Sequence, residues 1–197
     1  TLADFPKYEA NSPRRGIGAA GDTALMAAVR TPEMVKYLID AGFDVNASNH
    51  WKKTALMTAA QTNQLAGAQA LLDAGADVNR ATTCWYEEGA GGLDNAEGAI
   101  AGRTALMYAA AGADEPTLRL LLSRGAKVDA RDAAGRTACS YLADNSVVND
   151  ATRSALSGSL CASGSKEWLP ANSTTAAGTR DAKSKPCATR SALTYSA

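Results

Sequence analysis

One nine-residue pattern, written four times, constrains this chain more than any other feature. "GDTALMAAV" (21–29), "KKTALMTAA" (52–60), "GRTALMYAA" (102–110) and "GRTACSYLA" (135–143) align without gaps. Their threonines, Thr23, Thr54, Thr104 and Thr137, are separated by 31, 50 and 33 residues. Self-similarity at such a period marks stacked supersecondary units. After each of the first three copies comes an amphipathic stretch and a turn: "MVKYLIDAGFDVN", "AQALLDAGADVN" and "LRLLLSRGAKVD".

The physics of one unit is simple. A threonine opens a short helix as a cap or first-turn residue, and small Ala beside Leu or Met lets that helix pack close to its neighbours. A second helix follows with leucines at helical spacing, such as Leu118, Leu121 and Leu122. Gly42, Gly75 or Gly125 ends it, where a positive φ costs no Cβ clash. One helix pair cannot bury its apolar face alone. Stacked pairs can, so the expected architecture is an all-α solenoid.

With T-A-L-M-x-A-A opening the units and "GADVN" at 75–79, the chain resembles the ankyrin repeat family over roughly residues 16–145. The Ala-rich units look like those of bacterial members. The resemblance implies about four helix-pair units, near 18–48, 49–80, 99–131 and 132–160, after a lead-in at 1–15 and before a C-terminal extension at 161–197. It also implies a protein-binding function through the concave face and the finger loops. Two departures matter. The family's histidine is Met26, Met57 and Met107 here, so apolar packing has to replace its hydrogen bond. The first unit is short between its helices, where Pro32 is expected to open the second helix. The last unit decays after "TACSYLADN", and "SVVNDATRSALSGSL" reads as a divergent closing helix, as expected of a terminal unit with one face in water.

Against the family's usual period of about 33, the 50 residues from Thr54 to Thr104 leave about 17 extra. They form an insertion at 81–98, a long finger. Loops beyond about 12–15 residues are usually functional or disordered. Trp85 and Tyr86, flanked by Glu87 and Glu88, read either as aromatics folded back over the groove or as a recognition anchor, since Trp and Tyr are enriched in hot spots. Carrying the family's contact positions over adds His50, Trp51 and Lys53 before the second motif and Gln61 and Thr62 after its first helix. Ile100 and Arg103 before the third motif and Arg136 before the fourth complete the expected partner-binding set.

Lys plus Arg total 20 and Asp plus Glu total 20, so no overall field recruits nucleic acid or an anionic membrane. Neutrality conceals a split. Residues 1–150 carry 14 basic and 18 acidic side chains, net −4, and residues 151–197 carry 6 and 2, net +4. No apolar run approaches the roughly 20 residues of a membrane span. The four cysteines have no C-x-x-C spacing and His50 is the only histidine, so no metal site or cofactor is expected. An even cysteine count allows disulfides and an oxidising compartment. Beginning on Thr1 rather than Met, the chain is read as a mature product after signal removal or as a trimmed piece. Pro170–Ala197 has only Leu193 and Tyr195 as large apolar residues, a composition that stays disordered unless pinned. A Cys161–Cys187 disulfide is expected to pin it, closing a loop worth about 3–4 kcal/mol. Cys84–Cys139 is the alternative second bridge, weakened by the reach from a finger tip to a cysteine at a buried-leucine position.

Catalytic signals are thin. "GIGAAG" (16–21) satisfies G-x-G-x-x-G, but the polar, proline-broken "EANSPRR" before it is no buried strand. No G-x-S-x-G or H-E-x-x-H is present, and a lone "NST" (172–174) has no supporting context. The expected function is therefore non-enzymatic binding of another protein. Its concrete form is an exported bacterial protein, periplasmic or secreted, that neutralises a toxin or escorts an envelope protein. Two alternatives stay open: a ligand-binding or hydrolytic pocket formed by insertion and tail, and a host-directed effector acting from the cytoplasm.

Overall fold

The protein is described here from a computed structural model, which covers residues 22–83 and 101–161. The lead-in, the insertion beyond Thr83 and the extension after Cys161 lie outside the described residues. Eight helices follow in order among the described residues: α1 (Ala24–Ala28), α2 (Pro32–Asp40), α3 (Ala55–Gln61), α4 (Leu65–Asp73), α5 (Ala105–Gly112), α6 (Glu115–Ser123), α7 (Ala138–Ala143) and α8 (Asp150–Leu160). They form four antiparallel-type pairs, one per motif. The odd-numbered helices pack on one another in chain order, as do α2, α4 and α6. This is the all-α repeat solenoid that the pattern implies.

Local chemistry sets each unit. The Thr23, Thr54 and Thr104 hydroxyls each accept the N–H of the methionine three residues on, at 3.4 Å, and cap the first turn of α1, α3 and α5. In the fourth unit the link runs the other way, with the Ser140 hydroxyl accepting the Thr137 N–H at 3.4 Å. Pro32 occupies the first turn of α2, as its fixed φ favours. Gly42, Gly75 and Gly125 follow α2, α4 and α6 with φ of 87°, 86° and 80°.

The core is a column of repeated positions. Leu25, Leu56 and Leu106 are at most 2% exposed, and Met26, Met57 and Met107 at most 4%. The methionines thus take the place of the family's hydrogen-bonding histidine by packing, each burial contributing about 1.5–3 kcal/mol. Alanines at the helix contacts, Ala59, Ala60, Ala109 and Ala110, have no exposed surface. Gly67 allows closer approach still, since a Cβ there would stand 2.2 Å from the Val29 carbonyl oxygen.

Asparagine ties the outer turns together. The Asn46 side chain donates to the Gly75 carbonyl (3.4 Å) and accepts the Asp77 N–H (2.8 Å). Asn79, the last letter of "GADVN", repeats the clamp on the Gly125 carbonyl (3.1 Å) and the Lys127 N–H (2.8 Å). Across the same surface Arg124, the cap that follows α6, reaches Asp73 of α4 at 2.6 Å. That hydrogen bond, with another from Gln69, holds the Asp73 carboxyl below the usual carboxylate range.

The cysteine expectation is corrected. Cys139 on α7 is joined to Cys161, the residue that ends α8, with Cα atoms 5.2 Å apart. Cys161 is therefore not available to Cys187, nor Cys139 to Cys84. The physical reason lies in the helix pair: α8 runs back along α7, which brings its C-terminal end to the second position of α7. Cys139 aligns with the buried Leu106, but it is half-buried, and among the described residues no further helix pair follows α8.

Candidate protein-binding groove

Among the described residues α3, α5 and α7, the inner helices, are each preceded by a finger whose base is closed by backbone pairing, in the fourth unit by the Asp132 N–H donating to the Arg136 carbonyl at 3.0 Å. Isolated antiparallel bridges join Ser48 to Thr54 and Ala81 to Thr104. A buried polar side chain braces each finger from within. In the second unit Asn49 Oδ1 accepts the N–H groups of Trp51 (3.1 Å) and Lys53 (3.0 Å). In the third the Thr82 hydroxyl accepts the Arg103 N–H at 3.1 Å, and in the fourth Asp132 Oδ1 accepts those of Ala134 and Arg136, both at 2.9 Å. The fingers are also tied to one another, Thr83 N–H donating to the Trp51 carbonyl (2.8 Å) and Ala133 N–H to the Ala101 carbonyl (2.7 Å). The long insertion thus leaves and re-enters a finger whose base, at Thr82 and Arg103, is closed at 2.9 Å.

Fingers and inner helices meet in a groove lined by alternating cations and tyrosines. The Lys53 ammonium lies 4.9 Å from the Tyr108 ring centre and donates to Gln61 Oε1. The Arg103 guanidinium lies 5.7 Å from the Tyr108 ring and 5.0 Å from the Tyr141 ring, and Arg136 lies 4.5 Å from the Tyr141 ring. The row Lys53–Tyr108–Arg103–Tyr141–Arg136 therefore runs across three units, and each stacked contact is worth about 0.5–2 kcal/mol. Tyr141 Oη accepts from Arg103 Nε (2.9 Å) and donates to Asp132 Oδ2 (2.6 Å). Burial first, and then the hydrogen bond to Asp132, pushes the Tyr141 phenol up to about 12.

The structure brings together four of the expected contact residues, Lys53, Gln61, Arg103 and Arg136. His50 and Trp51 sit half-buried in the same finger as Lys53, and Thr62 at the end of α3 turns its hydroxyl onto the Thr58 carbonyl at 2.9 Å. Trp85, Tyr86, Glu87, Glu88 and Ile100 lie outside the described residues. Sequence reasoning missed Tyr108, Tyr141 and Asp132. The tyrosines occupy the variable x of the T-A-L-M-x-A-A motif, held by Ala27 and Thr58 in the first two units. That one variable letter inside an apolar motif was the signal.

Among the described residues no group of three His, Cys, Asp or Glu side chains comes together as metal ligands, and no helix is long and apolar enough to cross a membrane. An apolar cleft of about 430 Å³ lies at the first unit, lined by Thr23, Ala24, Met26, Met34 and Leu38, away from the cation row.

A stack of capped helix pairs with braced fingers and a groove of half-exposed side chains defines a repeat-built scaffold for holding another protein. A family model of ankyrin repeats, in three copies, matches residues 3–82, and one of a single ankyrin repeat matches residues 101–133. Together they cover more than half of the chain, which belongs to the ankyrin repeat family and is a protein-interaction module. A search of curated proteins finds none that matches.

Proposed function

We propose that this module belongs to an exported bacterial protein and holds a partner protein along the groove and fingers, neutralising it or escorting it in the cell envelope. The observation that carries the binding surface is the cation and tyrosine row across units two to four. Tyr and Arg are the side chains most often found at interface hot spots, and here packing and hydrogen bonds fix them before any partner arrives. The Cys139–Cys161 disulfide supports an oxidising compartment, periplasmic or extracellular, and weighs against a reducing host cytosol. Pull-downs from envelope and cytosolic extracts, using the intact chain beside a Trp85→Ala plus Tyr86→Ala variant, test the reading. The expected result is an envelope protein retained by the intact chain and lost or weakened in the variant. Retention of nothing specific by the intact chain from either extract would sink it.

A further inference from the structure

We propose that Arg103, Tyr141 and Arg136 form a docking point for the carboxylate side chains of an acidic protein segment. This rests on the protein-binding reading above and gives it a partner chemistry. Both guanidinium groups are held rigidly by their inner edge: Arg103 Nε donates to Tyr141 Oη (2.9 Å) and Arg136 Nε to Asp132 Oδ2 (3.2 Å). Both also lie against the Tyr141 ring, 5.0 and 4.5 Å from its centre. Their terminal amino groups have no acceptor among the described residues.

Among the described residues, charge at this point is unbalanced. Asp132 is the carboxylate of the cluster, 5% exposed, and its two oxygens are occupied by the Ala134 and Arg136 N–H groups, the Tyr141 hydroxyl and Arg136 Nε. One buried negative charge thus faces two half-exposed arginines. A planar guanidinium donates two parallel N–H groups to a carboxylate, and arginines already ordered lose little further entropy on binding. With 20 basic and 20 acidic side chains the chain sets up no long-range field that recruits a polyanionic nucleic acid, whereas scattered carboxylates on a polypeptide meet chiefly the local cluster.

Fluorescence anisotropy with the full chain at low salt tests this, using a labelled glutamate-rich peptide, its glutamine counterpart and a thymidine oligonucleotide of equal length. Expected is saturable binding of the glutamate peptide, about tenfold or more tighter than the glutamine peptide, and weakened about tenfold by Arg103→Gln plus Arg136→Gln. The affinity is expected to fall with added salt. An Arg103→Lys plus Arg136→Lys variant keeps the charge and the stacking but removes the fork, and serves if the glutamine variant loses its cooperative melt. It is expected to bind the glutamate peptide several-fold more weakly than the parent. The proposal is overturned by absent binding of the glutamate peptide, by tighter binding of the oligonucleotide, or by unchanged affinity in the folded variants. Such a failure leaves the wider reading standing wherever the pull-down still retains a partner, and the wider reading fails only when the intact chain retains none.

Discussion

The third and fourth units both open on "GRTA" and both carry a tyrosine on the groove side of the inner helix, yet different forces hold them. In the third, Leu106 and Met107 are at most 1% exposed, between helices of the units before and after. In the fourth, the aligned residues are Cys139 and Ser140, both half-buried. The fourth is the last of the described units, and an apolar residue that stays partly in water, as at these two positions, contributes less than one fully buried. The chain uses a covalent bond and polar links instead. Cys139 is bonded to Cys161, Ser140 caps its own helix, and Arg153 of α8 donates to the Asn145 carbonyl (2.5 Å) and the Val148 carbonyl (3.1 Å). Leu142, Leu156 and Leu160 still bury the fourth unit's core, at most 2% exposed, but at the two motif positions after its opening alanine specific bonds replace the burial that holds the third unit.

The largest test of that contrast truncates the same motif position in each unit. Met107→Ala should cost about 3–4 kcal/mol, the transfer free energy of the side chain plus the cavity left in a closed environment. Ser140→Ala loses one hydrogen bond at a half-buried site and should cost about 0.5–1.5 kcal/mol. Urea denaturation of both variants reads the difference. Equal losses would mean that the end unit is packed like an interior one.

Next in size is the disulfide. It spans a sequence separation of 22, and removing it with Cys139→Ala plus Cys161→Ala should lower stability by about 3 kcal/mol through the freed unfolded chain. Hydrogen exchange should show the lost protection concentrated in α7 and α8, because a linear repeat array opens from its ends. Protection lost equally in α3 and α5 would contradict the division between interior and end.

What the sequence made legible follows the same division. Helix caps, terminating glycines and buried Leu–Met columns are local or periodic, so the letters TALM and GADVN sufficed to place them. The cysteine pairing depended on how far α8 runs back along α7, a long-range distance that no periodicity carries, and the expected Cys161–Cys187 bridge gave way to Cys139–Cys161. The groove was half legible. Lys53, Arg103 and Arg136 stand at a fixed place before the last three motifs, but Tyr108 and Tyr141 occupy the motif's variable letter, on which no expectation was placed. Only the stacking of three units showed them holding the cations.

Tyr141 offers a smaller test within the end unit. Its folded pKa is raised from 10.0 to about 12, so its contribution to stability is complete below pH 10 and is lost as pH rises towards 12. An alkaline absorbance titration should therefore show a late-titrating phenol, and Asp132→Asn, which removes the charge accepting its proton, should bring that step to lower pH. An unmoved step would assign the shift to burial alone.

The smallest expected effect compares the fingers of units two, three and four. Lys52, Gly102 and Gly135 hold the same place before the motif threonine, with φ of 59°, 84° and 76°. At Gly102 glycine is needed twice over, because a Cβ would also stand 3.0 Å from the Asp132 Cα of the next finger. At Lys52 an L side chain takes the left-handed region on an exposed turn, which costs about 1 kcal/mol. Lys52→Gly should relieve that strain, less the extra entropy of glycine in the unfolded chain, and raise stability by about 0.5 kcal/mol. Gly102→Ala should lower it by more than about 1 kcal/mol, since the strain and the close approach add. Thermal melts of the two variants should thus move in opposite directions, and a destabilised Lys52→Gly would mean that the lysine side chain holds the second finger in a way its backbone does not require.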